Sequence, residues 1–167
     1  DIMTLAKQLT NGAIPMGAVM ASAPIYEAFM NAGAPQHLLE FNHGYTYSGH
    51  PVGCAAALAV LDILEQEALP QRVAKEAMYF EDVLHELKGA PHLRDIRNFG
   101  FAGGLQLAPM EGDPTRRPFE VAMRMWHKGF YVRYGGDIIA LGLPFIMERN
   151  EIDSLVTALG EVLDELD

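Results

Sequence analysis

Cysteine is almost absent. Cys54 is the single one, so neither an intramolecular disulfide framework nor a CxxC metal knuckle can form. Bases are scarce too: 12 Lys and Arg stand against 22 Asp and Glu, a formal charge of −10. That balance favours solubility and argues against a nucleic-acid binder, which needs a basic face. The longest mostly apolar run, 52–64, contains Asp62 and is too short to span a bilayer. Repeats, low-complexity tracts, blocks of like charge and a signal-peptide pattern are all missing. What remains is a globular mixture of 167 residues, 50% apolar and 20% charged, enough for one ordinary domain or two small lobes with a real core. The chain opens without Met, on Asp1-Ile2-Met3-Thr4-Leu5, which reads as a strand already under way, and it closes on a complete helix. The expectation is a C-terminal piece of a longer protein.

Residues 1–6 are apolar and β-compatible, and 7–12 lead away as a loop. Residues 17–21 form a second short strand, both strands being expected in a buried setting. Pro24 opens a helix to about Met30. The stretch 31–51 has little periodicity, but Phe41, His43, Tyr45, Tyr47 and His50 give it a content that suits a functional loop. Pro51 suits the first turn of a helix to about Ala68, whose small-residue half at 53–57 has almost no polar face and is expected to be buried. A second helix, 71–88, carries Val73, Ala77, Phe80, Leu84 and Leu87 on one stripe. These two helices read as the hinge between a larger and a smaller lobe.

Beyond them the pattern changes. Strands are expected at 93–98, 103–108, 130–134 and 138–143, the last either returning or parallel, with a helix between Pro118 and Lys128. Trp126, Met123 and Met125 are expected in the core of that helix's packing, and Arg97, Arg116 and Arg117 in solvent. Asn150 is expected to cap a terminal helix whose inner face is Ile152, Leu155, Val156, Leu159, Val162, Leu163 and Leu166. The whole order describes an α/β chain.

Three places carry candidate chemistry. Lys7 stands where a buried strand opens into a glycine-containing loop. Desolvation there would favour the neutral amine that Schiff-base chemistry needs, and the alternative is an exposed lysine at a strand end. The segment His43-Gly44-Tyr45-Thr46-Tyr47-Ser48-Gly49-His50-Pro51 sets hydroxyls and amides before a helix N-terminus, a natural anion or phosphate site. Its alternative is an ordinary N-cap by Ser48. Arg133 alternates with apolar neighbours in a short strand, sharing a face with Tyr131. It can grip a carboxylate with two parallel hydrogen bonds or lie as a surface arginine on an edge strand. The two histidines have no third ligand at a recognisable spacing, so no metal is expected. The glycine pairs at 103–104 and 135–136 lack a dinucleotide-binding context.

In order, Asp1-Ile2-Met3-Thr4-Leu5-Ala6-Lys7 with Asn11-Gly12-Ala13-Ile14-Pro15-Met16-Gly17-Ala18-Val19, then Gly44-Tyr45-Thr46-Tyr47-Ser48-Gly49-His50-Pro51, then Ile96-Arg97-Asn98-Phe99-Gly100-Phe101-Ala102-Gly103-Gly104 cover nearly the whole chain. Together they resemble the C-terminal half of a class III, pyridoxal-phosphate-dependent aminotransferase. Lys7-Gln8-Leu9-Thr10-Asn11-Gly12 and Tyr131-Val132-Arg133-Tyr134-Gly135-Gly136-Asp137 are most similar to its ω-amino acid (β-alanine):pyruvate branch. The resemblance implies an aspartate-aminotransferase-like, fold type I architecture. Residues 1–69 would end a large cofactor domain with a linking helix, and 70–167 would form a small C-terminal α/β domain.

It further implies pyridoxal 5′-phosphate as cofactor, with an ω-amino acid or amine as donor and pyruvate as acceptor. Lys7 would bind the cofactor and move a proton between substrate and cofactor. Tyr45 and Thr46 would hold the cofactor phosphate, in this family usually that of the neighbouring subunit. Arg133 would take the substrate or pyruvate carboxylate, and Tyr47 with the loop 41–45 would line the pocket. A cytoplasmic homodimer or tetramer, with no nucleic-acid or membrane partner, is implied as well. The family's pyridinium aspartate, glycine-rich phosphate segment and ring-stacking aromatic lie upstream of the lysine. The 167-residue chain alone is therefore expected to be inactive, activity belonging to the full-length dimer. The rival readings are another class III enzyme (a different donor, an epimerase or a decarboxylase) and a non-catalytic α/β binding or assembly module that keeps the lysine.

Overall fold

The computed structural model of the protein describes residues 1–166, which form two compact units that divide between Glu67 and Ala68. In the first, strand β1 (Ile2–Ala6) pairs antiparallel with β2 (Gly17–Ala21), Ile2 opposite Ala21 and Leu5 opposite Ala18. A 3₁₀ turn (Lys7–Thr10) leaves β1, and helices α1 (Ala23–Ala32) and α2 (Pro51–Gln66) follow. The expected burial of the two strands does not hold: Ile2 is 63% and Val19 70% exposed. The reason is that β1 and β2 have only each other as ladder partners, so a two-stranded ribbon leaves its apolar side chains uncovered among the described residues.

Helix α2 begins at Pro51, where proline's missing N–H costs nothing. Its cap is His50 rather than Ser48: the imidazole Nδ1 accepts the Val52 amide at 3.3 Å. Only Gly53 and Ala57 of its small-residue half are buried. The 3₁₀ turn packs on this helix.

The second unit begins with α3 (Leu69–His85) and holds a four-stranded antiparallel sheet in the order β3-β4-β6-β5. Its strands are β3 (Leu93–Phe99), β4 (Ala102–Leu107), β5 (Arg133–Gly135) and β6 (Ile138–Gly142), with α4 (Arg116–His127) before β5 and α5 (Arg149–Asp164) last. Leu105 faces Ile139 across the β4–β6 ladder, and alternation puts Leu105, Leu107, Ile139 and Leu141 on one buried face. Against it pack Phe80 and Leu84 of α3, Val121 and Met125 of α4, and Ile152, Leu159 and Leu163 of α5, each of the seven fully buried. The inner face of α5 is the one its periodicity predicts.

Four expectations need correction here. Strand β5 starts at Arg133 and not at 130, because Phe130 and Gly129 are spent closing α4: their amides donate to the Met125 and Trp126 carbonyls at 2.9 and 3.0 Å, with Gly129 at φ +91°. The terminal helix is capped at Glu148, whose amide donates to the Glu151 carboxylate at 2.7 Å, so Asn150 is already helical. Trp126 is 60% exposed and sets its ring edge-on to Tyr131, while Met125 alone of its group is fully buried. Arg117 is half-buried, its guanidinium donating to the Ala108 carbonyl at 2.6 Å. Across α3 and α5, Arg149 donates to Glu76 at 2.7 Å, which holds the Glu76 carboxyl below its ordinary range. No described helix is long and apolar enough to cross a membrane.

Candidate active site

Lys7 stands immediately after β1 with φ +56°, in the left-handed region that a long side chain seldom adopts. What holds it there is a tight network rather than the open loop the sequence suggests. Asn11, also left-handed at φ +47°, donates its amide to the Gln8 carbonyl at 3.1 Å. The Gly12 amide reaches the Lys7 carbonyl at 3.3 Å and the Ala13 amide the Thr10 carbonyl at 3.0 Å. Thr10 closes the turn, its hydroxyl donating to the Ile14 carbonyl at 2.7 Å. The Lys7 side chain is exposed among the described residues.

Tyr45 and Thr46 lie in the loop that delivers the chain to α2. There the Ser48 hydroxyl accepts the Tyr45 amide at 2.9 Å, the Ser48 amide donates back to the Tyr45 carbonyl at 2.9 Å, and the His50 amide donates to the Tyr47 carbonyl at 3.2 Å. Thr46 is exposed at the apex. Upstream, Phe29, Phe41, His43 and Tyr45 form a chain of adjacent rings with centroids 4.8, 5.6 and 5.6 Å apart. A cleft of about 420 Å³ runs between this loop and the segment following the lysine turn. Tyr45, Tyr47, Ser48 and His50 line one side and Ile14 to Gly17 the other, with Gly53 of α2 at its base. A Cβ on Gly53 would sit 3.6 Å from the Met16 sulfur, an ordinary van der Waals contact. Lys7, Tyr45 and Thr46 thus belong to one unit, whose lysine turn packs on the helix that the loop at 44–50 opens.

Arg133 is the first residue of β5, opposite Ala140, in the second unit. Val132 is buried while Tyr131 and Arg133 are exposed, so the alternation read from sequence holds at these three positions. A shallow cavity of about 450 Å³ is lined by Tyr131, Val132, Arg133 and Tyr134. Tyr131 is braced edge-on by Trp126 at 6.2 Å and Tyr134 by Phe119 at 5.7 Å. Among the described residues no group of three His, Cys, Asp or Glu is placed to hold a metal ion.

Residues 1–163 match the family Aminotransferase class-III. The chain belongs to the class III aminotransferases. It is 56% identical over 164 residues to the beta-alanine–pyruvate aminotransferase of Pseudomonas aeruginosa, covering 98% of this chain and 37% of that protein. It is 55% identical over 166 residues to the omega-amino acid–pyruvate aminotransferase of Pseudomonas putida, again 37% of the relative's length. A class III aminotransferase this similar to its relatives therefore spans under two-fifths of them. Among solved structures, an amine transaminase from an uncultivated Pseudomonas species in its PLP-bound form superposes with a TM-score of 0.87 at 36% identity, over 98% of this chain and 38% of that one. The adenosylmethionine-8-amino-7-oxononanoate aminotransferase of Methanocaldococcus jannaschii gives 0.88 at 32%, over 100% and 39%. The expected fold, the C-terminal part of a fold type I PLP-dependent transferase, is what the chain adopts.

Sequence gives no sign of the buried hydroxyl of Thr10 or of the capping role of His50. What stands there is the Thr-Asn-Gly run after Lys7 and a His-Pro step at a helix start, both turn chemistry rather than site chemistry.

Proposed function

We propose that the whole protein transfers an amino group from an ω-amino acid such as β-alanine, or from an amine, to pyruvate, with pyridoxal 5′-phosphate as cofactor. The observation that carries this is the seating of two features on one helix: the turn holding Lys7 packs on α2, and the hydroxyl-bearing loop at 44–50 leads into that helix's N-terminus. The names of the relatives at 55–56% identity support the choice of donor and acceptor.

The residues present fit two ends of the cofactor. Lys7 offers a primary amine for its aldehyde, and Thr46 with the α2 N-terminus offers a hydroxyl and helix-end dipole for its phosphate. The Tyr45 amide, already committed to Ser48, orders that loop rather than reaching outward. When bound, the cofactor supplies an electron sink for the carbanion left by removing the donor's proton. Lys7, once its amine is free, is the base that takes that proton and the acid that returns it. Arg133 holds a carboxylate of donor or acceptor, and its planar fork favours carboxylates over bare amines. The donor's amine carbon leaves as a carbonyl and the keto carbon of pyruvate leaves as the amine of alanine, so no external oxidant is needed.

The proposal assigns residues 1–69 to the end of the large cofactor domain and 70–167 to the small domain, close to the division into compact units after Glu67. It also includes a cytoplasmic homodimer or tetramer, on the resemblance to the class. The test is reduction of the cofactor-loaded whole protein with borohydride, followed by peptide mapping. The expected outcome is cofactor fixed on Lys7, with β-alanine and pyruvate giving alanine before reduction and no product after it. Fixation on a different lysine, or no fixation with activity intact, overturns the reading.

A further inference from the structure

Thr10 is the one polar side chain that is buried among the described residues, at 1% exposure, in a unit that buries little else. Burying a hydroxyl is costly unless it is paired, and this one is paired with a backbone carbonyl four residues on, the Ile14 oxygen at 2.7 Å. The bond ties the last residue of the 3₁₀ turn to the segment 14–17 that lines the cleft. The same turn presents Lys7 in a left-handed conformation that a lysine adopts only when its surroundings impose it. The Gly12 and Ala13 amides that brace Lys7 and Thr10 lie inside the loop this hydroxyl closes.

We infer that Thr10 is a positioning residue for Lys7: its buried hydroxyl bond to Ile14 fixes the strained turn from which the lysine amine is aimed. Without it the turn relaxes toward ordinary backbone, φ at Lys7 shifts, and a long side chain amplifies that shift at its amine. Displacements on that scale cost much rate when the group must meet a reacting atom, while leaving substrate binding elsewhere intact. The inference rests on the assignment of Lys7 given above.

The test compares Thr10→Val, which removes the hydroxyl at nearly constant volume, with Thr10→Ser, which keeps it, in the whole protein. Thr10→Cys, retaining only a weak donor, serves if the valine variant does not fold. The valine variant is expected to lose kcat about tenfold or more with KM for β-alanine changed less than about threefold. Its visible cofactor band should titrate at a different pH from wild type, and amides 11–13 should lose hydrogen-exchange protection in the cofactor-free protein. The serine variant should restore all three. If the valine variant is merely less heat-stable, with kcat and band titration unchanged, Thr10 is a structural residue and the inference fails. If borohydride fixes the cofactor elsewhere in wild type, the assignment of Lys7 fails instead. Exchange at amides 11–13 then still decides whether Thr10 holds the turn.

Discussion

Arg133 occupies the first position of β5, exposed beside Tyr131, with Val132 buried behind it. A guanidinium so placed can meet a carboxylate with two parallel charge-assisted bonds, each hydrogen bond to a charged group being worth about 1.5–3 kcal/mol. Arg133→Ala should therefore lower kcat/KM for β-alanine by about 100-fold or more while leaving an amine donor that has no carboxylate within about threefold. Following the donor half-reaction alone, by loss of the cofactor's visible band, separates this from any effect on pyruvate. Equal losses for both donors would remove Arg133 from the carboxylate site. Lys7 and Arg133 were legible as candidates, being charged residues in apolar sequence contexts whose proposed roles come from the resemblance to the class. Thr10 was not, since its role depends on which carbonyl the fold brings to its hydroxyl, and a threonine in a Thr-Asn-Gly run reads only as turn chemistry.

Elements were legible where one face is continuously buried. The stripe on α5 repeats every three to four residues and meets α3 and α4, so periodicity alone found it. Ends were less legible, because the α4 C-cap consumes residues whose composition suits a strand, and the α5 cap lies two residues before the asparagine that suits one. The close approach of α3 to β4 left only a glycine as its mark. A Cβ at Gly103 would lie 3.1 Å from Leu84 Cδ2 and 3.2 Å from Phe80 Cζ, both on fully buried side chains with little room to yield. Gly103→Ala should accordingly destabilise the second unit by about 1–3 kcal/mol, the usual cost of overpacking, despite alanine's better backbone entropy. Urea unfolding followed by far-ultraviolet circular dichroism measures it. An unchanged midpoint would show that α3 can move off the sheet freely.

At the scale of the whole molecule the two units differ in what they bury. The core cluster runs from Phe80 to Leu166, entirely within the second unit, whereas the first contributes Ala57, Gly53 and Thr10 as its buried residues. Its strands carry apolar side chains that the sequence presents as interior, yet Ile2, Met3, Val19 and Met20 are each more than half exposed. Alternation and hydrophobicity report what a strand is suited to pack against, and they cannot report whether the packing partner is among the same residues. Buried apolar area is the main source of stability, so the two units should differ in protection when the 167-residue chain is studied by itself. Native-state hydrogen exchange should find amides of β3, β4, β6 and the α3–α5 helices protected by more than about a thousandfold, and those of β1, β2 and α1 by about tenfold or less. Lys7 then sits on the weakly protected side, in a chain that spans 37% of the length of its relatives. The same preparation supplied with pyridoxal phosphate, β-alanine and pyruvate should form no alanine. Strong protection across β1 and β2, or turnover by this chain, would mean that the ribbon and its turn are stable on far less burial than a core normally requires.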